Sequence, residues 1–229
     1  MPIRFVIALA LAATPAAVLA AEPTTLNLSA SGETHLAPDM ATVTLGVAAT
    51  APTAAAAMQK DAGLMTGVIS ALRRQGVAER DIQTAGFNVQ AQYAFPQNQP
   101  RQLTGYQASN QVSVAVRDLA RLGPVLDGVA AGGANEIDGI SFGLKDPGAA
   151  EDEARLKAVA ALKAKADLYA RATGYTLGRL VNLSEGGGYS PGPVRPLPMM
   201  AMAKVASTPV EAGELTVRVE VSAVYEMAR

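Results

Sequence analysis

The chain has 229 residues, of which 49% are hydrophobic and 17% charged, with a formal net charge of −1; this is the profile of a packed globular protein rather than a disordered one. A sequence pI near 5.9 excludes the basic footprint of a nucleic-acid binder. Cysteine is absent, tryptophan is absent and aromatics reach only 4%, which excludes thiol chemistry and disulfide staples and argues against a sugar-stacking groove.

The first residues, "MPIRFVIALALAATPAAVLAAEP", carry one positive charge at Arg4, then an apolar run from Phe5 to Ala13, then a small-residue exit ending Val18-Leu19-Ala20. That order is read as a secretory signal peptide over residues 1–20, cut after Ala20. The run falls short of the roughly 20 apolar residues of a membrane span and is interrupted by Thr14 and Pro15. The expectation is a mature chain over residues 21–229, exported to the periplasm, with no transmembrane span after cleavage.

The mature chain opens with Leu26 and Leu28 alternating with polar residues, a strand expected to end at Gly32. A second strand follows through Met40, Val43, Leu45 and Val47. Thr53 is placed to cap a helix whose Met65, Val68, Ile69 and Leu72 recur at helical spacing. Arg73 and Arg74 suit its C-terminal dipole end, and Gly76 stops it. Phe87, Val89, Ala91 and Tyr93 alternate, as do Val112, Val114 and Val116 beyond the polar "PQNQPRQ", so an antiparallel hairpin is predicted. Asp118 is placed to cap a second helix with Leu122, Val125, Leu126 and Val129 on one face before Gly132-Gly133. A short strand with Ile140 and Phe142 on one face comes next.

The longest predicted helix starts at Asp146-Pro147 and stops at Gly174. Glu151–Arg155, Glu153–Lys157 and Asp167–Arg171 have ion-pair spacing, and many positions are alanine, which permits close approach to a sheet. A strand around Leu180–Leu183 follows. Residues 186–213 are rich in Gly and Pro and lack periodicity; a loop of this length points to function or contact. Leu215, Val217, Val219 and Val221 then alternate with polar residues in a half-exposed antiparallel strand. The fold class expected is α+β, an antiparallel or mixed sheet with packed helices. The strand–helix–strand stretches at 41–93 and 105–144 suggest related halves.

The stretches "GYQASNQVSVAVRDL", "GANEIDGISFGLKDP", "EDEARLKAVAALKAKADLYARATG" and "LGRLVNLSE" together resemble the SIMPL-domain family. "SASGETHLAPDMATVTLGV" and "TPVEAGELTVRVEVSAVYEM" extend that resemblance over nearly all of residues 21–229. These are exported bacterial proteins that include a periplasmic immunogen and an oxidative-stress-defence protein. The resemblance implies a mixed α+β fold, a tendency to form large channel-like rings, and an association with oxidative-stress resistance in the envelope. It carries over no catalytic residue.

Three chemistries are open to the residues themselves. A hydrolytic site would have to use His35 as base, the lone histidine, with Ser29, Ser31 and Asp39 near it in sequence; a turn or surface histidine is the plainer reading. Paired carboxylates could cleave glycosides, but the acids cluster at helix ends and in salt-bridge spacing. No phosphate-binding loop or zinc ligand set appears. Met199, Met200 and Met202 in "PLPMMAMAK" could offer thioethers to Cu(I). The same residues also compose an adaptable contact surface. The reading is therefore a non-enzymatic envelope protein without cofactor, a homo-oligomer with an envelope protein as further partner and no nucleic-acid partner, associated with oxidative-stress defence. The alternative is a Cu(I)-binding protein using the methionine loop.

Overall fold

The structure, a computed structural model, describes residues 23–187 and 210–229. The expected leader at 1–20 and the bulk of the Gly/Pro/Met segment expected at 186–213 lie outside the described residues. In chain order the elements are β1 (Thr25–Leu36), β2 (Met40–Ala51), α1 (Ala54–Arg74), β3 (Ile82–Ala94) and β4 (Gln102–Val116). These are followed by α2 (Leu122–Ala131), β5 (Glu136–Gly143), α3 (Gly148–Thr173), β6 (Thr176–Gly187) and β7 (Leu215–Ala228).

The strands form two sheets. One has the order β3-β4-β2-β5 and the other β1-β7-β6, and every neighbouring pair is antiparallel. The α+β expectation holds, with its mixed-sheet option resolved to antiparallel pairing. The two expected strand–helix–strand stretches become β2-α1-β3 and β4-α2-β5. They are two like β-α-β units that interlock in a single four-stranded sheet, the split β-α-β arrangement of ferredoxin-like folds.

Local chemistry explains the helices. Thr53 caps α1 as predicted, its side chain accepting from the Ala56 amide. Met65, Val68 and Leu72 then enter a core with Val43, Leu45 and Val47 of β2, Val112 and Val114 of β4, and Leu122, Val125 and Val129 of α2. Asp118 caps a 3₁₀ turn, Leu119–Arg121, rather than α2 directly. In α3, Glu151–Arg155 and Glu153–Lys157 close as ion pairs, and Gly174 ends the helix in the left-handed region at φ 73°.

The second core is built from alanines. Ala150, Ala154, Ala158 and Leu162 of α3 pack on Val217, Val219, Val221 and Ala223 of β7. Gly32 does not end β1, which continues to Leu36. A Cβ at Gly32 would meet the Ala154 carbonyl oxygen at 2.2 Å and the Ala158 nitrogen at 2.4 Å. The glycine therefore marks where helix and strand backbones touch, not where the strand turns. β6 extends beyond the predicted Leu180–Leu183 to twelve residues.

Candidate functional site

The histidine site does not assemble. His35 is exposed on β1 and faces Thr216 of β7, with Nδ1 3.0 Å from the threonine Oγ1. Ser31 and Ser29 share its side of the strand but lie four and six residues away, roughly 13 and 20 Å along an extended chain. Asp39 is used elsewhere: its Oδ1 accepts from the Lys145 amide at 2.8 Å. No relay of nucleophile, base and acid exists among them. Met199, Met200 and Met202 lie outside the described residues. Among the described residues no cluster of three or more His, Cys, Asp or Glu side chains could hold a metal ion.

Two clefts open on the four-stranded sheet. The first, about 240 Å³, lies at the C-terminal end of α1 and is lined by Gly76, Arg80, Asp81, Arg117 and Arg121 among others. Its charges are largely engaged. Asp81, with its side chain 7% exposed, accepts from Arg117 Nε at 3.0 Å and Nη2 at 2.7 Å; those bonds hold its carboxyl below the ordinary 3.8. Arg121 donates to the Gln75 carbonyl at the end of α1, which suits a cation at a helix C-terminus. Among the described lining residues there is no Ser, Thr, His or Cys, so the cleft presents no hydroxyl, thiol or imidazole of those types. The second cleft, about 390 Å³, is lined by uncharged residues including Thr50, Gln92 and Tyr106.

The other distinctive feature is apolar surface left open on the three-stranded sheet and its helix. β6 stands at the sheet edge and exposes Leu180, Val181 and Leu183 by 46, 46 and 51%. The outward side of α3 shows Leu156 at 74% and Leu168 at 57%. The two charged side chains of β6 are bonded within the chain, Arg179 to Glu226 and Glu185 to Arg155 at 2.9 Å. Arg155 also holds Glu151 and Asp152, so this one guanidinium ties β6 to α3. From Asn182 to Gly187 the strand runs in unbroken register with β7. The opposite edge differs. On β1, Lys157 and Lys165 of α3 donate to the Glu33 and Ser29 carbonyls at 3.0 and 2.8 Å, which blocks the backbone with ammonium groups.

This architecture coincides with a family-wide pattern: the description SIMPL, protein of unknown function (DUF541), matches residues 26–225. The chain belongs to the SIMPL family. A similar protein is the 26 kDa periplasmic immunogenic protein of Brucella melitensis, 35% identical over 218 residues that cover 90% of this chain and 86% of the relative. Its counterpart in Brucella abortus is 34% identical over the same shares. The uncharacterized protein YggE of Escherichia coli K12 is 31% identical over 186 residues, 81% of this chain and 74% of the relative. The SIMPL match spans both sheets and all three helices.

Sequence reading missed the Asp81–Arg117 pair, because 36 residues separate its members. It also missed Asp61, which is fully buried in α1. A signal for Asp61 did exist: it stands four residues from Ala57 and from Met65, inside the apolar stripe.

Proposed function

We propose that this SIMPL protein is exported to the periplasm and works without catalysis, as a homo-oligomer assembled through the β6 edge and the outer face of α3. In this reading the assembly, with an envelope protein as further partner, supports oxidative-stress tolerance. The observation that carries it is the β6 edge, which has no further strand beside it among the described residues. An edge strand with leucine and valine exposed and its charges tied inward is a template for another strand. Export is supported by the leader sequence and by the periplasmic designation of the Brucella relatives. The stress role is supported by the family resemblance alone. The second reading, Cu(I) bound by Met199, Met200 and Met202, rests on thioether chemistry.

Native mass spectrometry of residues 21–229, with and without Cu(I) under reducing conditions, tests both. The expected result is a closed oligomer without metal, reduced to monomer by the double change Leu180→Glu and Leu183→Glu with the circular dichroism spectrum unchanged. A wild-type monomer that takes up one copper, and loses it when the three methionines become leucine, favours the second reading. For the stress role, a strain lacking the protein should regain peroxide tolerance from the wild type and not from the double variant.

A further inference from the structure

Asp61 is 0% exposed, and both of its carboxyl oxygens are enclosed without a hydrogen-bond partner among the described residues. The side chain within its reach is Asn110 of β4, whose own Oδ1 is likewise enclosed and unsatisfied. Asn110 points to the helix side of the sheet between Ala108 and Val112, with Val47 of β2 beside it in register. Three acceptor oxygens are thus enclosed together, with the Asn110 NH₂ as the donor group of the pair. An ionised carboxylate there is costly, because burial of an unpaired charge forces neutralisation.

Among the described residues, the elements packed around Asp61 supply no counter-charge. β2, β3 and β4, the strands packed against α1, contain no charged residue in their spans. α2 contributes only Asp127, an acid on its exposed side. On α1 itself Lys60 is exposed, and Arg73 and Arg74 lie in the last turn, roughly 18 Å along the helix from Asp61.

We propose that Asp61 and Asn110 form a buried proton-binding pair, in which the carboxylic acid O–H of Asp61 donates to Asn110 Oδ1 and clamps α1 to the four-stranded sheet. One proton satisfies the amide oxygen and removes the buried charge together. Desolvation pushes the Asp61 carboxyl above its ordinary 3.8, offset only in part by the Asn110 contact. The consequence is a fold that takes up a proton. In the unfolded chain Asp61 is ionised above its ordinary value, while in the folded chain it stays protonated. Between the ordinary value and the raised folded value, the folding equilibrium therefore strengthens as pH falls, by about tenfold per pH unit. Below that window the difference is constant. The α1 face of this exported protein is thereby reinforced by mild acid, independently of assembly.

Two measurements test the pair on the mature chain. Urea unfolding midpoints of wild type and Asp61→Asn are compared from about pH 5 to about pH 8. The expected result is a wild-type midpoint that falls with rising pH relative to the variant, the variant being the more stable at the alkaline end. Equal pH dependence in the two proteins overturns the proposal. Infrared spectroscopy of wild type at neutral pH reads the proton directly and holds even where the variant fails to fold. A protonated-carboxyl carbonyl band should be present. Its absence means an ionised Asp61 facing the amide NH₂ of Asn110, and overturns the pair. A midpoint that responds to added Ca²⁺ or Mg²⁺ in place of pH equally overturns it, in favour of a bound cation.

Discussion

Asp81 and Asp61 are two carboxylates of one sheet-and-helix layer with opposite environments. Asp81 lies just before β3 and meets the side of the Arg117 guanidinium, accepting from Nε and Nη2, which favours its charged form. Asp61 meets only an amide. For Asp81 the folded carboxyl lies below its ordinary 3.8, so its contribution is present above that value and fades as pH falls through the lowered one. Asp81→Asn should therefore be less stable than wild type at neutral pH, with the gap closing in acid below the ordinary aspartate range. Urea midpoints at a series of pH values check this. Because Arg117 is half exposed, the effect is modest compared with that of a fully buried pair.

At the scale of elements, the contact of α3 with β1 depends on a missing side chain. The alanine stripe at Ala150, Ala154 and Ala158 brings the helix down onto the strand, and Gly32 lets the backbones meet. Gly32→Ala should cost about 1–3 kcal/mol through forced separation of helix and strand, read as a drop in the urea midpoint. An undiminished midpoint would mean that α3 can ride up freely. The end of the same helix gives a second test. Gly174 sits at φ 73°, and Gly174→Ala should cost about 1 kcal/mol because an alanine Cβ disfavours that region; a thermal melt at equal protein concentration measures it. Helix spacing and capping made α1 and α3 legible in advance. Gly32 misled because a glycine in a strand pattern reads as a stop until a helix is known to lie across it.

For the whole molecule, the two sheets differ in how their edges are guarded. β1 is guarded by lysines on its carbonyls, while the regular half of β6 beside exposed Leu183 has no such cover among the described residues. Hydrogen exchange should accordingly find the alternate β6 amides from 182 to 187 that point away from β7 unprotected in dilute, monomeric protein and protected in the assembled form. Amides of β2 and β4, central in the larger sheet, should be protected in both. Protection of β6 that is indifferent to assembly would place the contact on another surface.

Periodicity, caps and composition determined which segments are helices and strands, the α+β class and the absence of thiol chemistry, while the resemblance to SIMPL proteins was carried by whole stretches matching in order. Helices and strands depend on neighbours within a few residues, where side-chain spacing alone decides the hydrophobic face. The interlocking of β2-α1-β3 with β4-α2-β5, the Asp81–Arg117 pair and the buried contact of Asp61 with Asn110 were decided only by tertiary structure. Each joins residues far apart in the chain, and which distant surfaces meet is set by the joint packing of both cores, not by any local pattern.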